Sequence, residues 1–353
     1  MNELKEILAR RIRSEGPLSL ADYMATCLLH PEHGYYATRD PFGSKGDFIT
    51  APEVSQMFGE LIGLALAQSW MDQGSPSCVL AELGPGRGTL MADILRSTAR
   101  VPGFHAAVNI HLVEASATLR GIQKETLARY EVQWHDDISS LPDAPLFLVA
   151  NEFFDALPIR QFARSQEGWN EKLVGLDDAG ELGFGLGPET RFDLLEDRID
   201  DTREGDIVET CEAARGIAAE LGARISNNGG SALIIDYGDW RSLGDTFQAL
   251  RSHKTVSPFE DPGQADLTAH VDFETLAQGA SCSYSRLAPQ GVFLERLGIT
   301  QRAQVLARQL NGIPLENHIA AHRRLTHPAE MGTLFKVMAL FPEGAAPPAG
   351  LEA

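Results

Sequence analysis

The sequence predicts an α/β fold with a Rossmann-like parallel sheet, and three features support that prediction. A short apolar segment at residues 79–83 is followed by a glycine-rich loop and then by a helical pattern. Further apolar segments alternate with helical patterns downstream, which is typical of a parallel sheet covered by helices on both faces. Residues 158–205 interrupt this alternation, which indicates a β-rich insertion.

Composition places the chain among ordinary globular proteins, since 43% of its 353 residues are hydrophobic and 22% are charged. This length suits one large domain with insertions or two modest domains. The formal net charge of −19 would repel a phosphate backbone, so nucleic acid is not an expected partner. The same charge would steer a cationic substrate towards the protein, although acidity that merely aids solubility is the simpler explanation on charge alone.

Residues 1–75 are predicted to be helical apart from one loop, residues 33–53, where glycine and proline mark turns. The first helix lacks the apolar core of a signal peptide, and its acidic residues disfavour a transit peptide. No segment approaches the roughly 20 apolar residues that span a bilayer. The four cysteines include no Cys-x-x-Cys pair, which fits a reducing compartment. We therefore expect a cytoplasmic protein without membrane insertion.

Residues 76–341 are predicted to form the main domain, and their patterns alternate as an α/β fold requires. Strands are predicted at residues 79–83, 109–114, 132–135, 145–150 and 232–236, with an apolar closing strand at 333–341. Helices are predicted at residues 89–98, 115–130, 207–225, 272–279, 291–297 and 300–310, after an earlier one at 54–71. Within the insertion, residues 159–163 and 172–176 are predicted to form a hairpin. The Pro/Ala/Gly-rich tail, residues 342–353, is expected to be disordered.

The loop after the first strand has the layout of a nucleotide-binding turn. Gly84, Gly86 and Gly88 allow backbone N–H groups to approach a ligand, and the helix that follows adds favourable polarity. A dinucleotide fingerprint would need its third glycine at Thr89, where none stands. Glu82 ends the strand and would repel a pyrophosphate, whereas its carboxylate could pair with the amino group of a methionine moiety. The loop therefore favours a ligand that contains methionine over a dinucleotide.

Acidic residues also follow the next two predicted strands. Glu114 ends the second predicted strand, at the position where an acidic residue binds the ribose hydroxyls in such folds. Asp136, Asp137 and Ile138 follow the third strand, where a residue can reach an adenine amino group. For either aspartate taken alone, the N-cap of a following helix is an equally good interpretation.

Several strings of residues resemble one known family. The string ELGPGRGTL at residues 82–90 is similar to motif I of class I S-adenosylmethionine methyltransferases. Four further strings look like those of the MidA family: GDFITAPEVS at 46–55, NEFFDALP at 151–158, IDYG at 235–238 and DLTAHVDF at 266–273. This family includes the mitochondrial complex I assembly methyltransferases and their bacterial relatives. The resemblance extends from about residue 17 to residue 341, with unrelated strings in the family's order.

The resemblance implies a seven-stranded class I methyltransferase sheet with a reversed final strand, and S-adenosyl-L-methionine as the cofactor. It also implies methylation of an arginine in a partner protein, with a subunit of respiratory complex I as the target. Gly46, Asp47 and Thr50 belong to one of the matching strings and are candidates to close over the cofactor, since flanking glycines would let such a lid move. Asn151 is a further candidate cofactor residue.

Two carboxylates in the string at 151–158 suit the chemistry of a guanidinium. A guanidinium is protonated and a poor nucleophile, but carboxylates can hold it in bidentate geometry and relocalise its charge. Glu152 and Asp155 directly follow a central strand, where open α/β sheets bind ligands, although Asp155 as a turn cap beside a structural Glu152 is the alternative. Tyr237 is a candidate for the acceptor pocket, and His270 and Asp272 are candidate proton acceptors. Methyl transfer requires no metal.

Three rival functions stay open at this point. The chain could methylate a small molecule or another type of residue. It could be a non-catalytic complex I assembly chaperone that binds S-adenosylmethionine as a structural ligand. A dinucleotide oxidoreductase is the third rival, and Glu82 together with the incomplete glycine fingerprint argues against it.

Overall fold

The computed structural model describes residues 2–38 and 49–353. Its α-helices are α1 (Glu3–Glu15), α2 (Leu20–Leu29), α3 (Tyr35–Thr38), α4 (Ala51–Val54), α5 (Gln56–Asp72), α6 (Thr89–Thr98), α7 (Phe104–Ala107), α8 (Ala117–Thr126), α9 (Glu212–Asn228), α10 (Phe273–Gly279), α11 (Gln290–Arg296), α12 (Ile299–Ala307), α13 (Ile313–Thr326) and α14 (Met331–Leu334). Short 3₁₀ helices cover Ile138–Ser140 and Asp193–Arg198.

The strands fall into three sheets. They are β1 (Leu18–Ser19), β2 (Cys78–Leu83), β3 (Val108–Val113), β4 (Val132–His135), β5 (Leu146–Asn151), β6 (Arg160–Arg164), β7 (Trp169–Leu176), β8 (Leu182–Thr190), β9 (Ile207–Thr210), β10 (Gly230–Asp239), β11 (Gln248–Arg251), β12 (Lys254–Val256), β13 (Asp266–Thr268), β14 (Val271–Asp272), β15 (Ser283–Tyr284), β16 (Ala288–Pro289) and β17 (Phe335–Phe341).

The main sheet has the strand order β15-β17-β10-β5-β2-β3-β4, with β14 beside β10 and β16 beside β17. The strands from β10 to β4 are parallel to their neighbours, and β17 runs antiparallel to β10. The predicted parallel sheet with a reversed final strand is therefore confirmed. The carboxyl ends of β2, β5 and β10 lie side by side, which is the edge where such sheets bind ligands.

Two apolar layers cover this sheet. Its central strands are therefore buried on both faces, which explains why their sequences are unbroken apolar runs. On one face, α5 and α6 pack through residues such as Phe58 and Ile94. On the other face, α9 and α10 pack through residues such as Leu221 and Leu276. Strand β2 is buried along its whole length, so the loop that follows it starts from a rigid support.

The insertion forms a second antiparallel sheet that also includes the N-terminal segment. Strands β6 and β7 pair as the predicted hairpin, while β8 and β9 extend the sheet on either side. Strand β1 pairs antiparallel with β7, and Leu8 and Tyr23 share an apolar cluster with Val174. The N-terminal helices thus pack against the insertion, a long-range contact that local patterns do not reveal.

The C-terminal part differs from the sequence expectations in two ways. Helix α13 was not predicted, because only one of its residues, Leu325, is buried and its apolar pattern is weak. The tail, expected to be disordered, packs on the domain: Leu351 is buried in the main core, and Glu352 pairs with Arg296 at 2.6 Å. Leu351 and Pro348 are buried and Ala345 packs against the same core, so apolar contacts anchor this tail. No helix in the described part of the chain has the length and apolarity to cross a bilayer.

Candidate active site

The glycine loop after β2 has the backbone that its sequence requires. Gly84, Gly86 and Gly88 have φ of 59°, 52° and 80°, in the left-handed region that residues with a Cβ rarely adopt. A Cβ on Gly84 would lie 2.8 Å from the ring of Phe153, so the loop also packs directly on the turn after β5. Gly88 precedes α6, whose first N–H groups lie at the loop.

A cleft joins this loop to the segment before α5 and to the end of β5. It is lined by Thr50, Pro52, Glu53, Glu82, Gly84, Pro85, Gly86, Arg87, Thr89, Leu90, Asn151 and Glu152. Six of the candidate site residues therefore share one cleft: Thr50, Glu82, Gly84, Gly86, Asn151 and Glu152.

Glu82 is suited to bind a cation in this cleft. Its side chain is 3% exposed, and its Oε2 has no hydrogen-bond partner among the described residues. Burial, together with the charge of Glu114, raises the pKa of Glu82 to about 8, while a backbone hydrogen bond from Met91 opposes the rise. An ammonium group placed beside Oε2 would compensate for that burial, so the residue fits the amino group of S-adenosyl-L-methionine.

Glu114, predicted to bind ribose, is held by a glutamine that the sequence analysis missed. The buried Gln123 of α8 donates from Nε2 to the carbonyl of Gly86 at 2.8 Å and to Glu114 Oε2 at 3.1 Å. Its Oε1 accepts a hydrogen bond from the Trp134 indole at 2.9 Å, and Glu114 Oε1 accepts one from the Ser116 amide at 2.8 Å. A glutamine within a helix gives no sequence signal of such a role, because it looks like a solvated residue.

The three candidate adenine-site residues occupy different environments. The Asp136 side chain is 85% exposed and pairs with Arg120 at 2.5 Å. Asp137 caps the 3₁₀ helix Ile138–Ser140, since its Oδ1 accepts a hydrogen bond from the Ser139 amide at 2.9 Å. Asp137 therefore takes the capping role that the sequence left as an alternative, while Ile138 is half-buried beside the core.

The expected lid lies partly outside the described residues, which exclude Gly46 and Asp47. Thr50 is buried and precedes α4. In the next residue, the amide of Ala51 donates to Glu152 Oε1 at 2.9 Å. Thr89 of the glycine loop donates to Glu53 Oε1 at 2.6 Å. The segment around Thr50 thus contacts both the cofactor loop and the candidate acceptor carboxylate.

Glu152 has a left-handed backbone conformation, which is uncommon for a residue with a Cβ. Its φ is 52°, and such a conformation costs about 1–3 kcal/mol unless the surroundings impose it. Its half-buried carboxylate accepts hydrogen bonds from Ala51 N and, at 3.2 Å, from Asn151 Nδ2. Burial raises the pKa of Glu152 to about 8, and the charge of Asp155 adds to the rise.

Asp155 is the most deeply buried of the predicted acceptor residues. It is 7% exposed, and its Oδ1 has no hydrogen-bond partner within residues 2–38 and 49–353. Burial raises the pKa of Asp155 to about 6, and the hydroxyl of Tyr237 opposes that rise by stabilising the carboxylate. An acceptor oxygen that is buried and has no donor is well placed for an incoming N–H group.

Asp236, in the last half of β10, organises the turn after β5, and the sequence analysis did not single it out. It is fully buried, and its Oδ2 accepts hydrogen bonds from the amides of Phe153, Phe154 and Asp155 at 3.2, 3.0 and 3.2 Å. Burial and the charge of Asp155 hold the pKa of Asp236 well above its usual range. Three carboxylates therefore meet at the carboxyl ends of two neighbouring strands.

His270 and Asp272 are placed differently from one another. The His270 ring packs edge-on against Tyr237, with centroids 5.4 Å apart, and burial lowers its pKa, which favours the neutral imidazole. Asp272 caps α10 by accepting from Thr275 N at 2.9 Å and also accepts from Ser242 N. Both Asp272 oxygens accept hydrogen bonds within the fold, so His270 is the one of the two that contacts Tyr237.

The fold and the cleft define a class I S-adenosylmethionine-dependent methyltransferase. Residues 61–290 match the sequence model of a family of S-adenosyl-L-methionine-dependent methyltransferases, and the chain belongs to this family. It uses S-adenosyl-L-methionine as the methyl donor. A solved structure from Burkholderia thailandensis, described as a methyl transferase and bound to S-adenosylhomocysteine, is 30% identical with a TM-score of 0.82. The match covers 98% of this chain and 94% of that one.

Curated relatives are similar over almost the whole chain. The human protein arginine methyltransferase NDUFAF7, mitochondrial, is 38% identical over 95% of this chain and 82% of its own length. The Xenopus laevis protein of the same name is 35% identical over 97% of this chain and 85% of its own. These relatives are named as mitochondrial, which overturns the sequence-based expectation of a cytoplasmic protein.

Proposed function

We propose that this methyltransferase transfers the methyl group to an arginine side chain of a partner protein. The observation that supports this acceptor most directly is the pair formed by Glu152, which lines the donor cleft, and the buried Asp155, one oxygen of which has no donor among the described residues. A planar guanidinium carries several N–H donors and a permanent charge, which matches two carboxylates in a desolvated site. The names of the curated relatives support the same acceptor.

Glu152 and Asp155 would act mainly by positioning the guanidinium and by accepting the proton that it loses. Bound S-adenosyl-L-methionine supplies an electrophilic methyl group on a sulfonium. Glu152 and Asp155 would hold two N–H groups and direct one nitrogen lone pair at that methyl carbon, so that the new C–N bond forms as the S–CH₃ bond breaks. The displaced proton would pass to Asp155, leaving neutral S-adenosylhomocysteine and a methylarginine.

Tyr237 and His270 would complete the acceptor pocket. The Tyr237 hydroxyl stabilises the charged form of Asp155, which keeps this carboxylate able to accept a proton. The neutral His270 imidazole beside Tyr237 is a second proton acceptor within the same pocket. Gly84, Gly86, Gly88, Glu82, Glu114 and Asn151 would hold the donor, with Asp136, Asp137 and Ile138 near its adenine.

A subunit of respiratory complex I is the finer proposal for the target, and it is supported by the family resemblance of the strings at residues 46–55 and 151–158. The experiment compares proteins from cells with and without this gene by mass spectrometry. We expect one arginine of a complex I subunit to lose its methyl groups in the deleted strain. The same arginine should regain them with the wild-type gene and not with Asp155→Asn. Loss of methylation on another residue type or on a small molecule would reject the arginine assignment.

A further inference from the structure

We propose that Arg324 is a positioning residue of this methyltransferase: it holds residues 49–54 against the donor cleft and, through the Ala51 amide, keeps the Glu152 carboxylate in place. Arg324 stands near the end of helix α13, far in sequence from both features. The proposal rests on the cleft as the site of the methyl donor, which the family uses, and not on the arginine acceptor.

The first support is the contact between α13 and the segment before α5. Arg324 Nη2 donates to the carbonyl of Ile49 at 3.4 Å, and α13 packs on α4, which begins at Ala51. Arg324 is half-buried, so its guanidinium is directed inward from the helix. This hydrogen bond ties the start of the segment to the C-terminal helices.

The second support is what the same segment touches at its other residues. Thr50 and Pro52 line the donor cleft. Ala51 N donates to Glu152, and Glu53 accepts from Thr89 in the cofactor loop. Because these contacts lie within a few residues of Ile49, a displacement of Ile49 would move both the cleft wall and the Glu152 carboxylate.

The third support is the charge balance at Glu152. Burial and the neighbouring carboxylates Asp155 and Asp236 disfavour its ionised form, and the hydrogen bonds from Ala51 and Asn151 favour it. The positive charge of Arg324 also lowers the pKa of Glu152. Ionised Glu152 accepts the Ala51 hydrogen bond more strongly than the neutral acid does, so Arg324 secures the segment through Glu152 as well as through Ile49.

The test measures S-adenosylhomocysteine binding to the full chain by calorimetry from pH 6 to pH 9. The variants are Arg324→Met, which keeps bulk without charge, Arg324→Lys, which keeps charge, and Arg323→Met as the matched control. Arg323 is the adjacent residue of α13, is exposed and pairs with Glu330 at 3.0 Å, away from the cleft. Thermal unfolding of each variant checks that the fold is intact.

We expect Arg324→Met to weaken binding about tenfold, which corresponds to roughly 1.4 kcal/mol. The pH dependence of binding should shift to higher pH, because without the positive charge Glu152 loses its proton at a higher pH. Arg324→Lys should bind with an affinity within about threefold of wild type and should show the wild-type pH dependence. Arg323→Met should behave as wild type in both measurements. Unchanged binding in Arg324→Met, an equal loss in Arg323→Met, or an equal loss in Arg324→Lys without a pH shift would each overturn the proposal. Since no methyl acceptor takes part, failure to find a methylarginine would leave this result untouched.

Discussion

Asp236 accepts a hydrogen bond from the backbone amide of Phe154 at 3.0 Å, and this contact links the ends of two neighbouring strands. The same carboxylate oxygen also accepts hydrogen bonds from the amides of Phe153 and Asp155, so one buried side chain shapes the turn that carries Glu152 and Asp155. The left-handed Glu152 at the start of this turn needs such support.

Replacement of Asp236 by alanine should reduce methyl transfer strongly and lower the melting temperature. Three buried N–H groups would lose their acceptor, at roughly 1–3 kcal/mol for each group left unsatisfied. Asp236→Asn keeps one acceptor oxygen and should recover part of the loss. Asp239→Ala, at the exposed end of the same strand, is the control. Single-turnover rates in Asp236→Ala equal to those of this control would show that the turn does not depend on Asp236.

Glu152→Gln and Asp155→Asn should cut turnover while leaving donor affinity nearly intact. A neutral amide keeps the shape but cannot balance a guanidinium, so loss of one charge-assisted bond should cost about one to two decades in rate. If one of the two residues also acts as the general base, its replacement should lower the rate about 10²–10⁴-fold. The measurement is single-turnover transfer at saturating donor. Wild-type rates in both variants would remove these carboxylates from the active site and direct attention to His270.

Gly86→Val should abolish binding of S-adenosylmethionine without unfolding the domain, because valine at a φ of 52° is strongly disfavoured and would reshape the loop. Gly121→Ala is the control, since Gly121 lies within α8 with open space around it. Calorimetry should also show no binding of NAD to the wild type. Normal donor binding by Gly86→Val would mean that the cofactor does not contact this loop.

Gln123→Leu should weaken donor binding by about tenfold or more. The Gly86 carbonyl, one Glu114 oxygen and the Trp134 indole would each lose a hydrogen bond in a buried region, at roughly 1–3 kcal/mol per unsatisfied group. Gln133→Leu, on the exposed side of β4, serves as the control. Equal dissociation constants for S-adenosylhomocysteine in the two variants would argue against the bridging role of Gln123.

The ligand-free protein should lose stability as the pH rises from about 7 to about 9, above the range in which the histidines with a lowered pKa, such as His111 and His270, add stability as they lose their protons. Burial raises the pKa of Glu82 and Glu152 to about 8. A carboxyl group with a raised folded-state pKa stabilises the fold below its unfolded pKa, and this contribution disappears as the pH rises through the folded value. Melting temperatures measured across this range should therefore fall, and the fall should be smaller in Glu82→Gln. A melting temperature that rises over the same range would contradict the burial of these groups.

Local patterns in the sequence were enough to predict the parallel sheet, the glycine loop with Glu82, and the position of Glu152 and Asp155 after a central strand. These features follow from local periodicity and from the rule that ligands bind at the carboxyl ends of parallel strands. A pattern of this kind needs no knowledge of distant residues, which explains why these predictions could be made.

Only the folded structure reveals the partners of Gln123, Asp236 and Arg324. Each of them is a polar residue whose partners lie on another element: Gln123 contacts Gly86, Asp236 contacts the turn after β5, and Arg324 contacts Ile49. Packing also decided that Asp137 and Asp272 cap short helices and that Leu351 anchors the tail. In a sequence, a polar side chain of this kind looks solvent-exposed. It is buried in a fixed position only because another element of the folded chain supplies its hydrogen-bond partner.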